Sequence, residues 1–95
     1  MRVASIRRSC VRGDDCLIRV DIGDLKGEGE CSLTDNGVVV YLPKCKVEDR
    51  TLTVYMDAAT TAAMIPMSYG IVVKVFTEEG HHLTVAKGYL DVMGS

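Results

Sequence analysis

The chain has 95 residues, the length of a single domain, and its 47% hydrophobic and 25% charged content argues against wholesale disorder. A net charge of −2, with acids and bases interspersed, leaves no electrostatic footprint for nucleic acid and no polybasic patch for a membrane surface. No apolar run approaches the roughly 20 residues that span a bilayer, and the start Met1-Arg2-Val3-Ala4-Ser5-Ile6-Arg7-Arg8 lacks the apolar stretch of a secretory signal.

The first expected strand is Ala4 to Cys10. Arg12-Gly13-Asp14-Asp15 follows as a turn cluster. Cys16, Ile18, Val20 and Ile22 then alternate with Leu17, Arg19 and Asp21, which is the period of a half-buried strand. Residues 23–30 hold Gly23, Gly27 and Gly29 among charges and read as a loop, ending in a short edge strand from Glu30 to Leu33. Asp35-Asn36-Gly37 predicts a tight turn, since Asn-Gly tolerates positive φ at low cost. Val38 to Leu42 is a strand rich in β-branched residues, and Pro43 stops it or confines its end to a sheet edge.

Lys44 to Asp49 reads as polar connection. Thr51 to Met56 alternates again, with Leu52, Val54 and Met56 on one face. Asp57 is the expected N-cap of a short helical turn from Ala58 to Met64, which Pro66 ends. Ile71 to Phe76 is almost continuously apolar and predicts a central strand. Glu79-Gly80 is the next turn. His82 to Ala86 returns as its hairpin partner, Gly88 permits a bulge, and Tyr89 to Val92 completes the set. Short strands at regular spacing suggest an antiparallel sandwich or barrel, formed as one domain over residues 1–95.

Residues able to carry chemistry are sparse. His81 and His82 follow a glycine turn and suit a solvated hairpin tip. Asp14-Asp15 and Glu78-Glu79 suit turns beside glycine. No nucleophile elbow, phosphate-cradling loop or zinc-protease motif occurs. Arg12-Gly13-Asp14 spells the integrin tripeptide, which three residues reach by chance. Cys10, Cys16, Cys31 and Cys45 fit no paired zinc spacing. They are expected as free, mostly buried thiols, with a Cys10–Cys16 disulfide as the alternative. No catalytic residue, metal or cofactor is expected, and the chain is read as no enzyme.

The second half resembles a family of small virion proteins and domains of tailed bacteriophages, including the N-terminal domain of baseplate upper proteins and head-fibre and tail-fibre modules. Leu52-Thr53-Val54-Tyr55-Met56 looks like that family's leading strand and Thr61-Ala62-Ala63-Met64 like its helical turn. Pro66 and Tyr69 match its corner, Glu79-Gly80 its hairpin turn, and Lys87-Gly88-Tyr89-Leu90-Asp91-Val92 its last strand. Val11-Arg12-Gly13-Asp14 resembles its opening. Met67 stands where the corner usually has glycine, and Val72 where an acidic residue is common.

The resemblance implies an all-β, immunoglobulin-like antiparallel sandwich of about seven short strands, with one helical crossover near 58–64. Asp57, Pro66, Tyr69, Gly80 and Gly88 would be its structural corner. Tyr69 would either hold a sheet corner through its hydroxyl or be an ordinary strand tyrosine. It implies a non-enzymatic virion structural protein: a head fibre, a capsid decoration or a baseplate or tail adaptor. The partners would be other virion proteins and further copies of the chain, without nucleic acid or membrane, in a particle assembled in the bacterial cytoplasm. The exposed members of Met56, Met64, Ile65 and Met67 are the expected partner contact, because methionine adapts to varied surfaces; the alternative is that they pack in the core or, as Met64 over the open end of the sandwich, cap it. The alternative is a receptor- or carbohydrate-binding module using Tyr41, Tyr55 or Tyr89.

Overall fold

The computed structural model describes residues 3–94. Eight strands and one short helix form two facing sheets: β1 (Ala4–Val11), β2 (Cys16–Asp21), β3 (Gly27–Asp35), β4 (Val38–Tyr41), β5 (Lys44–Glu48), β6 (Thr51–Met56), α1 (Ala58–Ala62), β7 (Met67–Thr77) and β8 (His82–Met93). One sheet has the order β1-β8-β7-β3-β4 and the other β2-β6-β5.

Alternation builds the interior. Cys16, Ile18 and Val20 from β2 face the other sheet, as do Leu52, Val54 and Met56 from β6. They meet Cys31 and Leu33 of β3, Tyr69, Ile71, Val73 and Val75 of β7, and Leu90 and Val92 of β8. Each buried aliphatic side chain contributes on the order of 1.5–3 kcal/mol relative to exposure. Burial at every second position is also what fixes register, because a one-residue slip would turn a whole row to solvent. β7 lies at the centre of the larger sheet, where the Ile71–Phe76 run leads one to expect it.

Two stretches differ from the expectation. Residues 27–35 are a full strand inside the sheet, paired with β7 on one side and β4 on the other, rather than a loop ending in an edge strand. Gly29 is there for close packing, not for a turn: a Cβ on it would lie 2.8 Å from the Cys45 Cβ and 2.9 Å from the Leu52 Cδ1. Residues 44–48 are likewise a strand, paired with β6, whose half-buried Cys45 and Val47 alternate with charged neighbours.

One pairing is not antiparallel. β1 runs parallel to β8, from Ala4 opposite Ala86 to Val11 opposite Met93. Gly88 sits directly beside Ile6 in that ladder, and a Cβ there would run into the Ile6 backbone. The bulge in β8 falls at Val85 instead, because Val73 faces Ala86 while Lys74 faces Thr84. The expected 36–37 turn is present, with φ of 51° at Asn36 and 82° at Gly37.

The crossover between the sheets is shorter than the 58–64 expected. Asp57 caps it, its side chain accepting from the Thr60 amide at 2.8 Å. Donation from Thr60 holds the Asp57 carboxyl below its ordinary range. Thr61, fully buried, then ties α1 to the β1–β2 turn: its Oγ1 donates to the Asp14 carbonyl at 2.7 Å and accepts from the Gly13 amide at 3.1 Å. Beyond Pro66, the buried Tyr69 donates its hydroxyl to the Ile65 carbonyl at 2.7 Å, the geometry of a tyrosine corner. Gly80, at φ 90°, turns β7 into β8.

Candidate interaction edge

The surface feature with no explanation inside the fold is β4. It is the last strand of its sheet, and among the described residues no strand pairs with its far side. Its ladder to β3 is short: Asp35 faces Val38, Thr34 faces Val39, and after an irregularity Leu33 faces Tyr41. Tyr41 is the strand's hold on the interior, its ring set edge-on to Tyr69 at a centroid distance of 5.9 Å.

The other side chains of this segment stand in water. Val38 is 64% exposed, Val39 52%, Val40 43% and Leu42 76%. Scattered exposed apolar residues are ordinary; a consecutive run beside unpaired backbone donors and acceptors is not. The apolar character continues past the strand. Leu42 and Pro43 share a groove with Tyr55, Met56 and Thr60, bordered by the charged Lys44 and Asp57. Tyr55 pairs across β6 and β2 with Leu17, and both are exposed on the outer face of the smaller sheet. A band therefore runs from the β4 edge around the side of the sandwich.

The expected methionine patch is not what the surface presents. Met56 and Met64 are core residues, because β6 turns Met56 inward and the chain after α1 folds Met64 over the end of the sandwich. Met67 packs half-buried against the core, and only Ile65, at 69%, stands free. The signal that could have found the band was the Val38–Leu42 run joined to Pro43, an edge residue.

The three tyrosines of the sugar-binding alternative do not converge. Tyr41 packs on Tyr69, Tyr55 lies on the outside of the smaller sheet, and Tyr89 lies under the Arg7 guanidinium on the larger one. The integrin-like tripeptide is held against α1, with Arg12 Nη2 donating to the Ala62 carbonyl at 2.7 Å. His82 stacks on Phe76 and meets Glu30 at 3.3 Å. Among the described residues no three His, Cys, Asp or Glu side chains gather as ligands for an ion. The cysteines are free thiols that face each other across the sheets as Cys10 with Cys16 and Cys31 with Cys45.

No protein-family model matches the chain, and no curated protein matches it by sequence. Solved structures do resemble it. CopC from Methylosinus trichosporium OB3b is 19% identical with a TM-score of 0.56, over 97% of this chain and 84% of that one. Titin domain M7 is 8% identical with a TM-score of 0.58, over 92% and 86%. The fibronectin(III)-like modules of Clostridium thermocellum CbhA are 8% identical with a TM-score of 0.53, over 100% and 93%. At such identities the likeness shows the fold alone: an immunoglobulin-like or fibronectin III-like sandwich.

Proposed function

We propose that this chain is a non-enzymatic assembly module that docks through the β4 edge, adding a strand from a further copy to its larger sheet. The observation that carries this is the exposed row Val38, Val39, Val40 and Leu42 on a strand whose outer backbone is unpaired. Fully burying a Val or Leu side chain is worth roughly 1.5–3 kcal/mol; these side chains forgo part of that in the isolated chain, and strand addition would recover some of it along with main-chain hydrogen bonds.

The finer reading is a structural protein of a tailed-bacteriophage particle, as head fibre, capsid decoration or baseplate or tail adaptor. Its support is the order of residue types from Arg12-Gly13-Asp14 through the 61–64 turn, Pro66 and Tyr69 to Gly88. The structural neighbours named above are not phage proteins, so this placement rests on the residues alone. Portal, capsid or tail genes beside its gene would support it; a metabolic operon there would overturn it.

Sedimentation velocity over a wide concentration range tests the docking edge. The wild-type mass is expected to rise with concentration, and the Val39→Lys/Val40→Lys protein to remain monomeric with an unchanged melting temperature. A wild type that stays monomeric throughout, or an oligomer indifferent to the lysines, overturns it.

A further inference from the structure

Asn36 is the one carboxamide side chain in the sequence, which holds no other asparagine and no glutamine. Gly37 follows it, and no aspartate precedes a glycine anywhere in the chain. The two residues are the centre of the turn between β3 and β4, with Asp35 facing Val38 across it. Both are exposed. Among the described residues the Gly37 amide takes part in no backbone hydrogen bond of the turns. A Cβ on Gly37 would meet nothing within 4 Å, so the space beside its backbone is open. The ladder that this turn anchors is short, with only the Asp35–Val38 and Thr34–Val39 pairs before the irregularity.

We propose that Asn36-Gly37 is a self-modifying site: Asn36 loses its carboxamide to attack by the Gly37 nitrogen, and the isoaspartate that results frees Val38 from Asp35 and retires the β4 edge. The loss of the carboxamide stands on the turn alone; its effect on assembly rests on the docking reading given above.

The reaction needs only water. The Gly37 nitrogen gives up its proton and attacks Asn36 Cγ, and glycine puts no side chain in the way of ring closure. The nitrogen–Cγ bond forms, the Cγ–Nδ2 bond breaks, and the departing nitrogen takes up a proton and leaves as ammonia. A cyclic imide remains, and water opens it. Attack at Cγ breaks the new bond and leaves an aspartate in the ordinary backbone. Attack at the Asn36 main-chain carbonyl breaks the original peptide bond instead. The chain then runs through Cγ, one methylene longer, and the former main-chain carbon becomes a free carboxylate. One water is consumed, one ammonia is released, and nothing is oxidised or reduced.

The turn makes that methylene consequential. Loop length and turn type set the register of a hairpin, and here the insertion falls at the first central residue. The new carboxylate stands beside Asp35, so like charge gathers at the end of the strand that a second copy must approach.

The protein is aged in mildly alkaline buffer below its melting temperature. Its intact mass is expected to rise by about 1 Da, with isoaspartate found by methyltransferase labelling in the peptide that carries residue 36. With no other carboxamide in the chain, the intact mass alone reports the reaction. In sedimentation velocity the aged protein should lose the concentration-dependent mass of the fresh protein. Asn36→Gly keeps a residue that adopts positive φ, and should hold both its mass and its association through the same ageing. Fresh Asn36→Asp carries the charge without the methylene and should associate better than the aged wild type. A mass that stays constant overturns the site. An aged wild type that associates like the fresh one, or an Asn36→Gly protein that loses association equally fast, overturns its link to the edge. A fresh wild type that is already monomeric overturns the docking reading instead, and the mass still reports the site.

Discussion

The larger sheet has two free edges, and they are made differently. β1 lies along eight consecutive partners in β8 and sends Ile6 and Cys10 into the core. Between those two, on the same face, stands Arg8, exposed at the rim. An inward-side charge of this kind discourages a further strand from pairing. On the other face Arg7 is occupied by Asp91, at 3.1 Å, and by the Tyr89 ring. β4 has neither device. It is short, uncharged and apolar on both faces, and Tyr41 alone ties it inward. The contrast shows what folding does and does not require: the β1 edge is accounted for by the fold and by protection, whereas the valines of β4 contribute little to the isolated domain.

The contrast can be strained from its strongest point to its weakest. Gly88→Val drives a side chain into the Ile6 backbone, and a loss of about 3 kcal/mol or more in urea unfolding is expected. A near-wild-type midpoint would mean that β1 is not pinned there. Ile6→Ala removes one of the two inward anchors of β1 and should cost about 2 kcal/mol by thermal melting. Tyr69→Phe deletes the hydroxyl bond to Ile65 but keeps the ring on which Tyr41 rests, so about 1 kcal/mol should be lost with the oligomer mass unchanged. Val39→Lys should change stability by no more than about 0.5 kcal/mol, yet weaken self-association in sedimentation. Arg8→Val should be equally mild for stability, but it removes the guard on β1 and should raise the mass at high protein concentration.

The features legible in the sequence were those with a local cause. Thr51 to Met56 alternates cleanly and is a strand with those bounds. Asn36-Gly37 needs positive φ and has it. Asp57 precedes alanines and caps them. The misreadings share a nonlocal cause. Gly27 and Gly29 look like loop residues until Cys45, Leu52 and Phe76 are seen pressed against them from elsewhere in the chain. Lys44 to Glu48 hides a strand because only two of its residues face inward. Met56 and Met64 are core residues, which is the alternative to a contact patch and follows for Met56 from its place on the Leu52–Val54 face. Val38 to Val40 has the composition of a buried strand. That it lies at an edge depends on the order of strands in the sheet, which periodicity does not encode. The thiol pairs were only partly visible: Cys10 and Cys16 flank one turn, whereas Cys31 and Cys45 are brought together by the stacking of the two sheets.

The parallel course of β1 and β8 also has a mechanical side. A pull applied at Ala4 and at Met93 is directed along both strands, in opposite senses. Such tension would shear the whole ladder between them at once instead of unzipping it one bond after another. Resistance to such a pull would include the contact at Gly88, where the absent side chain lets the Ile6 backbone lie close.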